Sequence, residues 1–262
     1  MTNCNIGAAL HEAAATRGDA LALVTGKNGQ YQQWSFRELP SCCCPASARG
    51  AARRPGHAHG AALFQLGATV ILIDPGMGYK KLLRCIGAVK PAVLIAIPPV
   101  QLIARFFRKP FQTVRRRICI GPSLGGLLGA KLAAGEDTDF TAVSTSEDEL
   151  AAIIFTTGST GPPKGVQYTH GIFFHQLQLI RDYYGIGPGD IDQPGFPLFG
   201  LFATALGAAA VIPDMDPTRP AQVNPAKFIR SIQGFLEKYN IHSAAFVLLF
   251  FILILKFQSI ML

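Results

Sequence analysis

Along the 262 residues the spacing of apolar positions changes several times, and each change predicts an element. Residues 6–17 (IGAALHEAAATR) carry apolar side chains at helical spacing and predict a short amphipathic helix. Residues 20–25 (ALALVT) and 30–34 (QYQQW) flank Asn28-Gly29, a pair suited to the tight turn of a hairpin. Ser35-Phe36-Arg37-Glu38 has capping-box spacing, so a helix is expected to start there and to meet Pro40. ATVILI at 68–73 and AVLIAI at 92–97 are unbroken apolar runs, the pattern of strands buried on both faces. Between them come a turn at Asp74-Pro75-Gly76 and Gly78, then a stretch at 79–90 with Leu82, Cys85, Ile86 and Val89 on one stripe. Together these predict a βαβ unit.

Further on, 99–107 suits a helix and RICI (117–120) a strand, followed by a glycine-rich, later acidic linker to about Glu149. LAAIIF (150–155) is again a buried strand, and GVQYTH (165–170) is extended. Residues 171–184 place Phe173, Leu177, Ile180 and Tyr184 on one helical face, with Gly185 closing the helix. AAVIPDM (209–215) is strand-like, and Asn224 is expected to cap a helix that has Pro225 at its first position and runs toward Asn240. Strands alternating with helices predict the α/β class, with a mainly parallel sheet flanked by helices.

Two stretches break this pattern. Residues 40–60 (PSCCCPASARGAARRPGHAHG) have neither period; an irregular, poorly ordered segment is expected, and it reads like a translation out of frame. Residues 243–262 (SAAFVLLFFILILKFQSIML) contain an unbroken apolar run, Ala244–Leu255. That is shorter than the roughly 20 residues of a membrane span. Membrane association through 244–262, a buried strand lacking its partners and an out-of-frame tail all remain open.

Composition narrows the classes. Apolar residues make up 49% and charged residues 15%, a globular balance. A net charge of +8 favours anionic partners without bearing on the fold. Arg105, Arg108, Lys109 and Arg115 to Arg117 cluster near Phe106, Phe107 and Phe111. An anionic membrane or nucleic acid would suit such a cluster; no nucleic-acid motif accompanies it, so nucleic acid is not expected and a solvated face is preferred. The six cysteines form no C-x-x-C pair, which argues against a zinc or thioredoxin-like site. The first 18 residues lack a basic start followed by an apolar run, so a cytoplasmic chain with free thiols is expected. His57 and His59 are too few for a metal site, and His170 and His175 do not share a helical face. Asp214 and Asp216 suit a turn. No metal-ligand set and no catalytic residue is assigned.

The most distinctive stretch is FTTGSTGPPKG at 155–165. It leaves a buried strand, the position where open α/β sheets hold ligands. Thr156, Thr157, Ser159 and Thr160 offer hydroxyl donors, Gly158 and Gly161 allow close backbone approach, and Lys164 supplies a point charge. The set points to phosphate. It is not a P-loop, because the lysine follows Pro163 and the two prolines remove amide donors.

IIFTTGSTGPPKGVQYTH (153–170) resembles the AMP-binding signature of the adenylate-forming enzymes, which include acyl-CoA synthetases, fatty acyl-AMP ligases, luciferases and peptide-synthetase adenylation domains. VILIDPGMGYKKLLRCI (70–86), YGIGPGDIDQPGFPLFGLF (184–202) and AAVIPDMDPTRPA (209–221) resemble the branch holding bacterial olefin β-lactone synthetases and related fatty acyl ligases. The likeness covers 61–240 well and 1–39 loosely. It implies a partial adenylation domain over 1–242, ATP and Mg2+ as cofactors, CoA as one acceptor, and a fatty or β-hydroxy fatty acid as substrate. A carboxylate would attack the α-phosphate of Mg-ATP, releasing pyrophosphate and leaving an acyl adenylate. The acyl group would then pass to CoA or another nucleophile, or the substrate's own β-hydroxyl would close a lactone. Thr156, Thr157, Gly158, Ser159, Thr160, Gly161 and Lys164 match the phosphate-binding signature. Phe196, Phe199 and Phe202 match a segment bordering the acyl pocket, although an ordinary core segment fits them equally.

The adenine- and ribose-binding motifs, the acidic magnesium residue and the small domain with its catalytic lysine have no counterpart in these residues, and Lys164 is not that lysine. The expectation is an N-terminal fragment, inactive alone or completed by a separate partner. The alternative is a non-catalytic nucleotide-binding remnant or a membrane-attached basic protein.

Overall fold

The computed structural model describes residues 3–27, 30–39, 62–73, 77–119, 130–131, 141–156, 162–194, 199–215, 223–229 and 233. The stretches 40–60 and 243–262 and the turns at Asn28-Gly29 and Asp74-Pro75-Gly76 lie outside them.

Helix α1 (Ile6–Arg17) starts where Asn5 Oδ1 accepts the Gly7 amide at 2.8 Å, and its apolar positions bury Ile6, Leu10, Ala13 and Ala14. Strands β1 (Leu21–Lys27) and β2 (Gln30–Ser35) form the predicted antiparallel hairpin. The Glu38 carboxylate accepts the Ser35 amide at 2.7 Å, the reach-back half of the capping box. There follow β3 (Val70–Leu72), α2 (Tyr79–Val89), β4 (Val93–Ala96), α3 (Pro98–Phe106), β5 (Arg116–Cys119) and β6 (Ala130–Lys131). Next come β7 (Leu150–Thr156), β8 (Lys164–Thr169), α4 (His170–Tyr184), β9 (Ile191–Asp192), α5 (Gly200–Ala205) and β10 (Ala209–Ile212). Gly185 ends α4 at φ 68°, and Asn224 Oδ1 accepts the Lys227 amide at 3.2 Å at the start of the last described helical turn, both as expected.

The strands form three sheets ordered β2-β1-β10-β9, β3-β7-β8 and β4-β5-β6. Among the described residues only β1–β2 and β7–β8 are antiparallel, so the fold is α/β with mostly parallel sheets flanked by helices. Two expectations are corrected. Among the described residues β3 and β4 do not share a sheet: β3 pairs with β7 and β4 with β5. Nor is 92–97 buried on both faces. Leu94 turns into a small core while Val93 and Ile97 stay 47% and 53% exposed. An apolar run encodes strand formation but neither its partner nor how deeply it is covered; both are set by sequence-distant packing.

The main core lies between the first two sheets and is filled from α1, α4 and α5 by Leu10, Phe173, Leu177, Leu201 and Phe202, with Phe64 beneath. A second, smaller core joins Ile86 of α2, Ala104 of α3 and Phe111.

Candidate nucleotide-phosphate site

β7 runs parallel to β3, with Ile154 opposite Leu72, and leaves the sheet at Thr156. That is the carboxyl edge of a parallel pair, where strand ends open toward ligands. The chain returns as β8 in antiparallel register, which pairs Thr156 with Lys164. Both ends of the hydroxyl-rich loop therefore stand on one rung, and both side chains are exposed. Directly opposed residues in such a ladder have Cβ atoms about 5 Å apart, so an alcohol and an ammonium face the same small volume.

Packing explains the residue after the lysine. A Cβ on Gly165 would sit 3.0 Å from Ile153 Cγ2 and 3.2 Å from Phe155 Cζ. The buried Phe155 ring thus occupies the space over its cross-strand glycine and anchors the root of the hairpin. Thr157, Gly158, Ser159, Thr160 and Gly161 lie outside the described residues.

β8 leads directly into α4. Thr169 Oγ1 accepts the Ile172 amide at 3.2 Å, and the His170 and Gly171 amides donate to Glu149 and Glu147 carbonyls at 2.9 Å each. Gly171 is required by close approach, since a Cβ there would stand 2.9 Å from the Glu147 carbonyl oxygen. The helix start is thereby tied to the segment preceding β7. His170 is fully buried, edge-on to Phe64 at 6.5 Å, and neither ring nitrogen has a hydrogen-bond partner among the described residues. Burial holds its pKa below the ordinary histidine range, with Glu149 opposing, so a neutral ring packs the core.

Of the aromatic segment, Phe196 lies outside the described residues. Phe199 is half-buried at the start of α5, and Phe202 is 5% exposed in the main core. Their rings stack at 6.4 Å; Phe202 meets Phe173 at 5.9 Å, and Phe173 stacks on Tyr168 of β8 at 5.4 Å. One aromatic row thus connects the 199–202 segment to the β7–β8 hairpin.

Sequence reading missed Asp192. It ends β9 in register with the fully buried Ala210, and burial pushes its carboxyl up to about 7 against a hydrogen bond from the Gln193 backbone. The only signal was an acid following Ile191 at the end of a strand and preceding Pro194. Cys4, Cys85 and Cys119 are buried, and burial raises all three thiol pKa values. Among the described residues no three His, Cys, Asp or Glu side chains group to hold a metal. Asp214 pairs with Lys227 at 3.5 Å, consistent with a turn role. Among the described residues no helix is long and apolar enough to cross a membrane.

The architecture is that of adenylate-forming enzymes. It superposes on a long-chain-fatty-acid-CoA ligase from Archaeoglobus fulgidus with a TM-score of 0.67 at 17% identity, covering 89% of this chain and 50% of that one. ATP-bound MatB from Rhodopseudomonas palustris gives 0.65 at 17%, covering 88% and 48%. At such identities the likeness is one of fold. The model of the AMP-binding enzyme family matches residues 60–259, and the chain belongs to that family. It is 42% identical over 177 residues to the olefin β-lactone synthetase of Stenotrophomonas maltophilia, covering 66% of this chain and 32% of that protein. A long-chain-fatty-acid–CoA ligase from Thermus thermophilus is 25% identical over 173 residues, 64% of this chain and 32% of that protein. The chain thus spans about a third of the length of the curated relatives it matches.

Proposed function

We propose that this chain carries the ATP-gripping part of an adenylate-forming site that activates a fatty or β-hydroxy fatty carboxylate as its acyl adenylate. The observation that carries the reading is the rung joining Thr156 to Lys164 at the carboxyl edge of β3 and β7, the two ends of a loop rich in alcohols and glycines. Thr156, Thr157, Ser159 and Thr160 would donate hydrogen bonds to phosphate oxygens, Gly158 and Gly161 would admit the backbone close to them, and the Lys164 ammonium would balance their charge. Donors aimed at the phosphates stabilise the negative charge as the α-phosphate is attacked and pyrophosphate departs. ATP supplies the activated phosphorus; this chain's residues hold and orient it.

The β-lactone synthetases among the relatives support a substrate with a β-hydroxyl, and the aromatic row supports an apolar chain. Phe199, only half-buried, would border that chain, with Phe202 backing it from the core. Titration calorimetry with ATP tests the phosphate grip. Lys164→Ala is expected to weaken binding about tenfold or more while leaving thermal stability unchanged, because the side chain is exposed. Unaltered ATP affinity in that variant would refute the assignment. Pyrophosphate exchange with long-chain and β-hydroxy acids then separates grip from turnover.

A further inference from the structure

Between residues 77 and 119 the chain carries ten lysines and arginines and no aspartate or glutamate, although its net charge over all residues is only +8. The positive charge is concentrated in the lobe built from α2, β4, α3 and β5, and the rest of the chain is net acidic. Helix α3 ends there in a surface patch. Phe106 follows Leu102 by four residues and Arg105 follows it by three, so one helix face presents all three. Phe107, Arg108 and Lys109 continue the patch round the helix end. Leu102, Phe106 and Phe107 are 47%, 75% and 47% exposed, and the three cations are exposed beside them.

The fold imposes this orientation. The opposite side of α3 is sealed onto β5: Ala104 is fully buried, Gln101 Nε2 donates to the Ile118 carbonyl at 2.8 Å, and the Arg117 guanidinium donates to the Ala104 carbonyl at 3.2 Å. Rotating the helix to hide Phe106 would break both bonds and expose Ala104. An ordinary solvated face has no use for two protruding rings and an aliphatic side chain within eight residues. Apolar groups exposed at a helix end, set among cations in a stretch, 77–119, that holds no carboxylate, instead complement the boundary between lipid phosphates and acyl chains. Single-stranded nucleic acid, by contrast, is held along a basic groove with stacking platforms, whereas Phe106 is three-quarters exposed at a helix end.

We infer that the 102–109 patch is a docking surface for an anionic lipid bilayer: the Phe106 and Phe107 rings enter the acyl boundary, and Arg105, Arg108 and Lys109 pair with lipid phosphates. The docking rests on charge and exposure alone. Only its use, collecting an acyl substrate from the membrane, rests on the proposed function, and ATP binding is measured separately.

The test uses the full chain and vesicles of phosphatidylcholine, alone or mixed with phosphatidylglycerol. Sedimentation is expected to show partitioning to the mixed vesicles that weakens with salt. Neutralising Arg105, Arg108 and Lys109 to Gln together should cut it on the order of a hundredfold, roughly fivefold per cation. Phe106→Ala with Phe107→Ala should cut it by at least about tenfold. A Phe106→Trp variant gives a local readout independent of the 244–255 apolar run. Its emission, after subtraction of the parent's single tryptophan, should shift blue on mixed vesicles and be quenched by brominated lipid. Parental partitioning by the triple variant overturns the inference. So does unmoved emission from position 106, or a nucleic acid that is bound while position 106 stays unquenched by lipid.

Discussion

Two regions of the molecule treat the same kind of side chain in opposite ways. In the main lobe Phe64, Phe173 and Phe202 sit at 5% exposure or less, joined edge to face and by tilted contacts beneath α1, α4 and α5. In the basic lobe only Phe111 is buried, against Ile86 and Ala104, while Phe106 and Phe107 face outward. The main lobe can bury its rings because two sheets and three helices close on one volume. The small sheet β4-β5-β6 shares no hydrogen-bonded strand with the other two sheets among the described residues. The lesson is that apolar content does not tell a core from a contact surface; the number of elements converging on a side chain does.

The largest effect that would break this comparison comes from Phe173→Ala. Loss of a ring contacting Phe64, Tyr168 and Phe202 should cost about 3–5 kcal/mol in denaturant unfolding and lower protection across both major sheets. Phe111→Ala should instead loosen only the basic lobe, seen as faster hydrogen exchange over 79–119 with the main lobe unchanged. Global unfolding in the second variant would show that the lobes share one core.

A smaller effect concerns Asp192, whose folded pKa of about 7 lies above the ordinary value of 3.8. A raised carboxyl stabilises the fold most below 3.8 and loses that contribution as pH climbs through about 7. Asp192→Asn should therefore gain on the parent as pH rises, reaching on the order of 4 kcal/mol near pH 8. Equal pH profiles of melting temperature would remove Asp192 from the set of buried acids.

The smallest effect is at His170. Its pKa is lowered from 6.5 by burial, so the stability of the neutral ring is present above 6.5 and is lost as pH falls through the folded value. His170→Gln should flatten that acid-side slope of stability while leaving ATP affinity at neutral pH as in the parent. A slope that persists would place the acid sensitivity elsewhere.

Much of the architecture was legible from local patterns. Helix α1, the β1–β2 hairpin, α4 with its Gly185 end, and the strand–loop–strand around FTTGSTGPPKG follow from spacing, capping and turn chemistry. These depend on residues within a few positions of one another, so they survive without knowledge of the rest of the chain. The pairing of β3 with β7 was not legible, because the apolar runs at 68–73 and 92–97 read alike and only long-range packing chose their partners. Asp192 was missed for a related reason. A carboxyl titrates near neutrality only once a neighbouring strand and its core remove water from it.

Sequence alone determined the chemistry at hand: which alcohols, glycines and lysine follow one another in the loop, and that residues 77–119 hold ten cations without an acid. Tertiary structure decided where they stand. It set Lys164 across from Thr156 at a strand edge, buried Phe202, and left Phe106 in solvent. Composition and order travel with the chain, whereas exposure and juxtaposition arise only when distant segments exclude water together.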